Sequence, residues 1–196
     1  MKASSVQRLL EVWELKLKDG RKVTVRFLNS SDRNGIFQMF SSMSEKALEW
    51  SMAPYTMEVI DRWIGNMSSL IPLVAEYNGK IVGYAVIYKY SHQRRRGIGD
   101  LAIYLHQDFH KVGLGTAMTE KLLELAKKER LHKIELTVVA ENEIARNLYE
   151  NFCFKTEGLR KDSFLGFDGK YHDMVHMGLI LDCEPSYTKK TESCRK

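Results

Sequence analysis

The sequence predicts a mixed α/β fold with a largely antiparallel central sheet flanked by helices. Three observations predict it. Strand-like runs come in pairs around tight turns at Asp19-Gly20, Asn78-Gly79 and Asp168-Gly169, and hairpins of this kind are antiparallel. Helical periodicity is confined to the stretch after the first hairpin and to two segments in the second half. That second half runs strand, helix, strand, helix, and a helix linking two strands of one sheet makes a parallel step.

Each element has its own reason. "VWELKLKDGRKVTVRFL" alternates apolar and polar residues on both sides of Asp19-Gly20 and reads as a hairpin. "SSDRNGIFQMFSSM" offers Ser and Asp as caps, then sets Ile36, Met39 and Phe40 on one helical face. "TMEVIDRWIGNM" reads as a second short helix, and "PLVAEYNGKIVGYAVIYKY" as a hairpin around Asn-Gly. "IGDLAIYLH" is a strand that leads through a glycine turn into an amphipathic helix. That helix carries Leu114, Met118, Leu122, Leu125 and Ala126 on one face, with Lys127, Lys128 and Arg130 near its end, where the dipole favours cations. "KIELTVVA" is a strand, and in "NEIARNLYENFC" Asn142 can cap a helix whose Ala145, Leu148, Tyr149 and Phe152 share one side. "FKTEGLRKDSFL" and "YHDMVHMGLIL" close the domain as a hairpin.

A length of 196 residues suits one domain with short appendages. The expected division is a basic extension or strand over residues 1–22, the main domain over 23–183, and a polar, flexible tail over 184–196. No apolar run approaches a membrane span and the start lacks the apolar core of a signal peptide, so a cytoplasmic protein with no membrane partner is expected. Cys153, Cys183 and Cys194 are odd in number and lack C-x-x-C spacing, which reads as reduced thiols. His106 with His110, and His172 with His176, fall in strand or turn, so no metal is expected.

A net charge of +5 invites a nucleic-acid reading. Residues 1–22, however, hold six basic and three acidic side chains and residues 184–196 hold four and two, so the ends carry the whole excess. The folded domain needs no basic face, and no nucleic-acid partner is expected. "QRRRG" at 93–97 is the one dense basic cluster inside, and a solvated loop accounts for it.

The turn "HKVGLG" at 110–115 raises a chemical question. Glycines there satisfy the backbone of a strand-to-helix turn. Bare amides at the start of a helix also bind anions, with the dipole behind them. Two other phosphate devices fail: no G-x-x-x-x-G-K-[ST] occurs, and "GIGDLA" at 97–102 runs into a strand and not into a helix. Without a Cβ at Gly113 and Gly115, a diphosphate could approach the backbone.

"LAIYLHQDFHKVGLGTAMTEKLLELA", followed by "KIELTVVAENEIARNLYENFCF", resembles the acetyl-coenzyme A binding half of the GNAT acetyltransferases. The family's Gln or Arg, two residues, Gly, one residue, Gly or Ala pattern falls on His110, Gly113 and Gly115; its later Asn-x-x-Ala, Leu-Tyr and Gly-Phe fall on Asn142, Ala145, Leu148, Tyr149 and Cys153-Phe154. His110 and Cys153 depart from the pattern, and in element order the resemblance runs from roughly Val23 to Leu181.

The resemblance implies a GNAT-like fold whose strand-helix-strand-helix half takes acetyl-CoA as cofactor. By matching position, Ile103, Tyr104 and Leu105 would pair through their backbone with the pantetheine arm in a gap between splayed strands, one amide polarising the thioester carbonyl. His110, Lys111, Val112, Gly113, Leu114, Gly115 and Thr116 would hold the diphosphate, and Asn142 would touch the arm while capping its helix. Tyr149 would protonate the leaving thiolate and lie against the cofactor; a phenol of pKa about 10 suits this. As a bare sequence feature it reads first as an amphipathic tyrosine packed on a helix, and the Asn142 to Tyr149 spacing of the resemblance reverses that. For the catalytic base the candidate is Glu135, which shares a strand face with Thr137, where some relatives carry a glutamate. Asp100 and a chain of waters are the alternatives.

The expected activity is transfer of an acetyl group from acetyl-CoA to a primary amine of a small molecule, such as an amino acid or polyamine, by direct attack in a ternary complex. A protein N-terminus or lysine as acceptor, and a non-catalytic acyl-CoA binding module, are the competing readings. Acceptor choice would lie in residues 35–70 and 160–175, with Trp50, Tyr55 and Trp63 as lining or core. The closing hairpin builds a dimer edge in relatives, which implies a homodimer.

Overall fold

The computed structural model describes residues 11–181. Eight strands form one sheet in the order β1-β2-β3-β4-β5-β6-β8-β7. They are β1 (Val12–Lys16), β2 (Lys22–Phe27), β3 (Leu70–Tyr77), β4 (Lys80–Lys89), β5 (Ile98–Leu105), β6 (Lys133–Val139), β7 (Lys155–Leu165) and β8 (Tyr171–Ile180). The helices are α1 (Arg33–Ser41), α2 (Glu45–Leu48), α3 (Met57–Gly65), α4 (Leu114–Lys128) and α5 (Glu143–Asn151). Every neighbouring pair is antiparallel except β5 with β6. The mixed, largely antiparallel sheet and its single parallel step are therefore as the sequence predicts.

Each hairpin forms where its turn residues allow. Asn78 and Gly79 both take positive φ, 49° and 73°, the backbone a type I′ turn requires. The first helix departs in detail: Asn29 caps a short 3-10 turn at Ser30–Asp32, while the Asp32 carboxylate accepts from the Asn29 amide at 2.9 Å and from Arg26 at 2.7 Å. Asp32 is thus held by the Arg26 ion pair and is not available to cap α1 with its side chain. Cys153 is disulfide-bonded, contrary to the reduced-thiol expectation. An odd count leaves room for one pair; the other two cysteines lie outside the described residues, as does the tail from residue 184.

The sheet buries a different cluster on each face, and strand alternation decides which side chains go where. Leu101, Ile103 and Leu105 of β5 join the cluster under α4 and α5, with Leu114, Met118 and Leu122. Ala102 and Tyr104 point the other way, toward Ile36, Phe40 and Ile60 of α1 and α3. A fully buried side chain of this size contributes about 1.5–3 kcal/mol, so both helix layers are anchored by several such groups.

The β5–β6 pairing is short. It covers Ile98 with Lys133, Gly99 with Ile134, and Asp100 with Glu135. Beyond that rung β5 pairs only with β4, and β6 only with β8. The two parallel strands therefore diverge after Asp100 and Glu135, leaving an unpaired backbone edge along Leu101–Leu105 in the middle of the sheet.

Candidate active site

The gap between β5 and β6 and the turn that follows β5 form one continuous feature. From Leu105 the chain passes through a 3-10 turn at Gln107–Phe109 and enters α4 at Gly113, which has φ of 92° and caps the helix without a side chain. Lys111 also has positive φ, 61°. The amides of residues 111–116 donate to no protein acceptor among the described residues. Successive unpaired amides at the start of a 15-residue helix make an anion cradle. Gly115 serves packing as well: a Cβ there would lie 3.3 Å from Leu105 Cδ1 and 3.5 Å from Leu148 Cδ2. The His110 ring directs Nε2 at the Leu105 carbonyl, 2.9 Å away, and so ties the turn to the end of β5.

Asn142 caps α5, accepting from the Ala145 amide at 3.2 Å. Two turns further on, Tyr149 packs on Phe154 with ring centroids 5.7 Å apart and is buried among the α4-side cluster. Its hydroxyl has no hydrogen-bond partner among the described residues. Burial, and then the charge of Asp100, push its pKa well above the ordinary phenol value.

Asp100 and Glu135 stand at the root of the gap, and by alternation both face the α1–α3 side. Glu135 is 7% exposed and accepts from the Tyr90 hydroxyl at 2.7 Å and from Arg95 at 2.5 Å. His176 Nε2 lies 3.9 Å from its other oxygen. Burial works to raise the Glu135 pKa, but the hydrogen bonds from Tyr90 and Arg95 and the nearby charges outweigh it, and the net shift is downward. The Asp100 carboxylate has no hydrogen bond or ion pair among the described residues. Burial and the neighbouring Glu135 charge raise its pKa to about 6.

On the same face, a cleft of about 390 Å³ is lined by Phe40, Met43, Leu48, Tyr55 and Phe167. It adjoins β5, because the rings of Phe40 and Tyr55 lie 5.4 and 5.2 Å from that of Tyr104. Trp63 belongs to the core behind it, stacked on Tyr84 at 4.9 Å. Trp50 packs edge-on against His172 at 5.1 Å. Gln107 joins the loop after α1 to the turn after β5, accepting from the Ser44 amide and donating to the Ser42 carbonyl, both at 3.2 Å.

A diverging parallel pair, a glycine cradle at a helix start and an acid-lined root define the class of protein. The sequence model of the Acetyltransferase (GNAT) family matches residues 36–154, and the chain belongs to that family. It is similar to the L-amino acid N-acetyltransferase AaaT of Escherichia coli, with 29% identity over 109 residues, covering 55% of this chain and 67% of that one. The solved GNAT acetyltransferase of Streptococcus pneumoniae superposes with a TM-score of 0.71 at 25% identity, over 82% of this chain and 99% of that one. A Salmonella typhimurium protein solved with its cofactor acetyl-CoA shares the fold, with TM-score 0.71 and 20% identity over 84% of this chain and 96% of that one. The protein is an N-acetyltransferase that uses acetyl-CoA. The free amides of 111–116 at the start of α4 fit the cofactor's diphosphate.

Sequence reasoning missed Arg95, Tyr90 and Phe167. Arg95 belongs to the basic cluster read as a solvated loop, yet its guanidinium lies 3.6 Å over the Tyr90 ring and bonds Glu135 forty residues away. The density of "QRRRG" was the available signal; its target was not visible without the strand pairing. Among the described residues no helix is long and apolar enough to cross a membrane.

Proposed function

We propose that the enzyme acetylates the primary amine of a small molecule, an amino acid or related metabolite with an apolar side chain. The observation that carries this is the unpartnered Asp100 carboxylate beside a Glu135 already neutralised by Arg95. A substrate ammonium is the cation that this arrangement leaves room for. The apolar cleft beside Tyr104 supports an apolar group on the same acceptor, and the similarity to an L-amino acid N-acetyltransferase supports the amino-acid class.

In this reading residues 110–116 hold the diphosphate, Ile103–Leu105 offer backbone groups to the pantetheine arm, and Asn142 contacts that arm while capping α5. Acetyl-CoA supplies an activated acyl carbon. Asp100 takes a proton from the incoming ammonium, which frees the nitrogen lone pair for attack on that carbon. An amide of the Ile103–Leu105 edge donates to the carbonyl oxygen as negative charge develops there. Tyr149, on the opposite face of the gap, gives its proton to the departing thiolate, and the second proton shed by the nitrogen as the neutral amide forms restores the phenol. Glu135, expected from the sequence to be the base, fits better as a fixed charge, since Tyr90 and Arg95 occupy it and hold it ionised.

A panel of free amino acids, polyamines and short peptides, assayed by thiol release from acetyl-CoA, tests the proposal. Turnover with free apolar amino acids is expected. Acetylation confined to peptides would assign a protein acceptor, and cofactor binding without thiol release on any amine would leave only a binding module.

A further inference from the structure

The β1–β2 hairpin, with its basic turn, is docked on the glycine turn. The Lys18 amide donates to the Val112 carbonyl at 3.0 Å. Arg21 Nη2 donates to the Asp108 carbonyl at 2.7 Å, and its guanidinium lies 4.0 Å over the centre of the Phe109 ring. Three contacts thus fix the hairpin to residues 108–112, with Arg21 and Asp108 standing 87 residues apart in sequence.

The side chain of Lys18 continues across the turn. A Cβ built on Gly113 would stand 3.5 Å from Lys18 Cγ, 3.6 Å from Cε and 3.8 Å from Cδ, so the whole aliphatic stem lies over the helix entrance. Its ammonium has no hydrogen bond or ion pair among the described residues. The neighbouring cation, Arg21, is by contrast paired with Asp19 at 2.6 Å. At the position where the family pattern has Gln or Arg stands His110, whose ring is occupied by the Leu105 carbonyl. The turn therefore offers free amides but no side-chain cation from its own first position, and a cation is supplied from a different strand pair.

We propose that Lys18 is a coenzyme A binding residue, its ammonium pairing with the diphosphate held by residues 110–116. This rests on the reading of that turn as the diphosphate site. A lysine is suited to the role, because a compact point charge on a flexible stem pairs with phosphate oxygens without demanding one geometry. The basic N-terminal segment, unassigned by the sequence, then has a function: its hairpin places one charge where the anion sits.

Binding of coenzyme A, measured by titration calorimetry at low and high salt, tests this without reference to turnover. Lys18→Ala is expected to weaken binding about 3–10-fold at low salt, with most of the loss disappearing at high salt as the charge pair is screened. Lys18→Arg is expected to restore it. Dephospho-coenzyme A, which lacks the 3′-phosphate, should show the same penalty; a penalty that vanishes with it would overturn the diphosphate assignment. Thr116→Asp is the control, since Thr116 is exposed and aspartate suits the first turn of a helix while repelling a bound anion. Unchanged binding by Lys18→Ala with a large loss in Thr116→Asp overturns the role of Lys18 alone. Unchanged binding in both variants overturns the reading of the turn.

Discussion

Asp100 and Glu135 form the last rung of the parallel ladder between β5 and β6, and only Glu135 has partners. Two carboxylates on adjacent strands cannot both be ionised without cost unless cations answer them. Arg95 answers one. The other faces Tyr88 of β4, Tyr90 and Arg95 of the following loop, Glu135 of β6, His176 of β8 and, across the gap, Tyr149 of α5.

A base works in its ionised form, and the Asp100 pKa is raised to about 6, so the activity it supports is present above that pH and lost as pH falls through it. With Asp100 receiving the proton of a bound ammonium, kcat/KM is expected to be flat between about 6 and the acceptor's own pKa. Asp100→Asn should lower it by roughly 10²–10⁴-fold near neutrality. The variant should also lose the plateau and rise steadily to the acceptor's pKa, because only the free amine then reacts. A variant with the wild-type profile would exclude Asp100 as the base.

Glu135 and Arg95 should move that acid limb in opposite directions. The Glu135 charge helps to raise the Asp100 pKa, and Arg95 lowers it. Glu135→Gln is therefore expected to shift the limb to lower pH, and Arg95→Ala to higher pH. Shifts of the same sign would contradict the proposed coupling, and the pH profile reports it even where the absolute rates of the two variants fall together.

Tyr149 is buried, its hydroxyl unbonded and its pKa raised, so it is protonated at any working pH and able to donate. Replacing it by Phe keeps the packing on Phe154 and removes only the proton. A kcat loss of roughly 10²–10⁴-fold is expected, with coenzyme A affinity unchanged within a few-fold. A comparable loss of affinity with little loss of kcat would make Tyr149 a binding residue only.

Asn142 has a measurable structural part whatever else it touches. Its side chain accepts from the Ala145 amide at the start of α5, and Asn142→Ala should cost about 0.5–2 kcal/mol of stability by thermal or denaturant unfolding. Asn142→Asp keeps the cap, so weaker coenzyme A binding in that variant at unchanged stability would separate contact with the arm from capping.

How far the sequence reaches depends on the range of the interaction. The hairpins at Asp19-Gly20, Asn78-Gly79 and Asp168-Gly169 were legible because turn chemistry and alternation are local. The Asn142 cap and the packed position of Tyr149 were legible because capping and the apolar face of one short helix are local, and the glycine turn because its strand and helix flank it. Arg95 was not, since the loop that carries it reads as solvated until β5 and β6 bring Glu135 beside it. Lys18 was not, because its turn reads as plain hairpin chemistry until the sheet edge folds over residues 108–113. The balance between Asp100 and Glu135 depends on who neutralises whom, and that is a property of the assembled rung.

Acceptor choice should follow the cleft built by Phe40, Met43, Leu48, Tyr55 and Phe167. Phe40 and Tyr55 stack at 4.0 Å and rest on Tyr104, so altering either would disturb the core and β5 together. Phe167 differs: it sits at the tip of the β7–β8 hairpin, 64% exposed, and lines the cleft from outside the core. Phe167→Ala should therefore leave the melting temperature nearly unchanged. An acceptor side chain that gains about 1–2 kcal/mol from covering this ring should show KM rising roughly 5–30-fold for apolar amino acids, with kcat altered little. Amines without an apolar side chain should show no such rise. Equal effects on apolar and polar acceptors would mean that Phe167 shapes the loop and does not select the substrate.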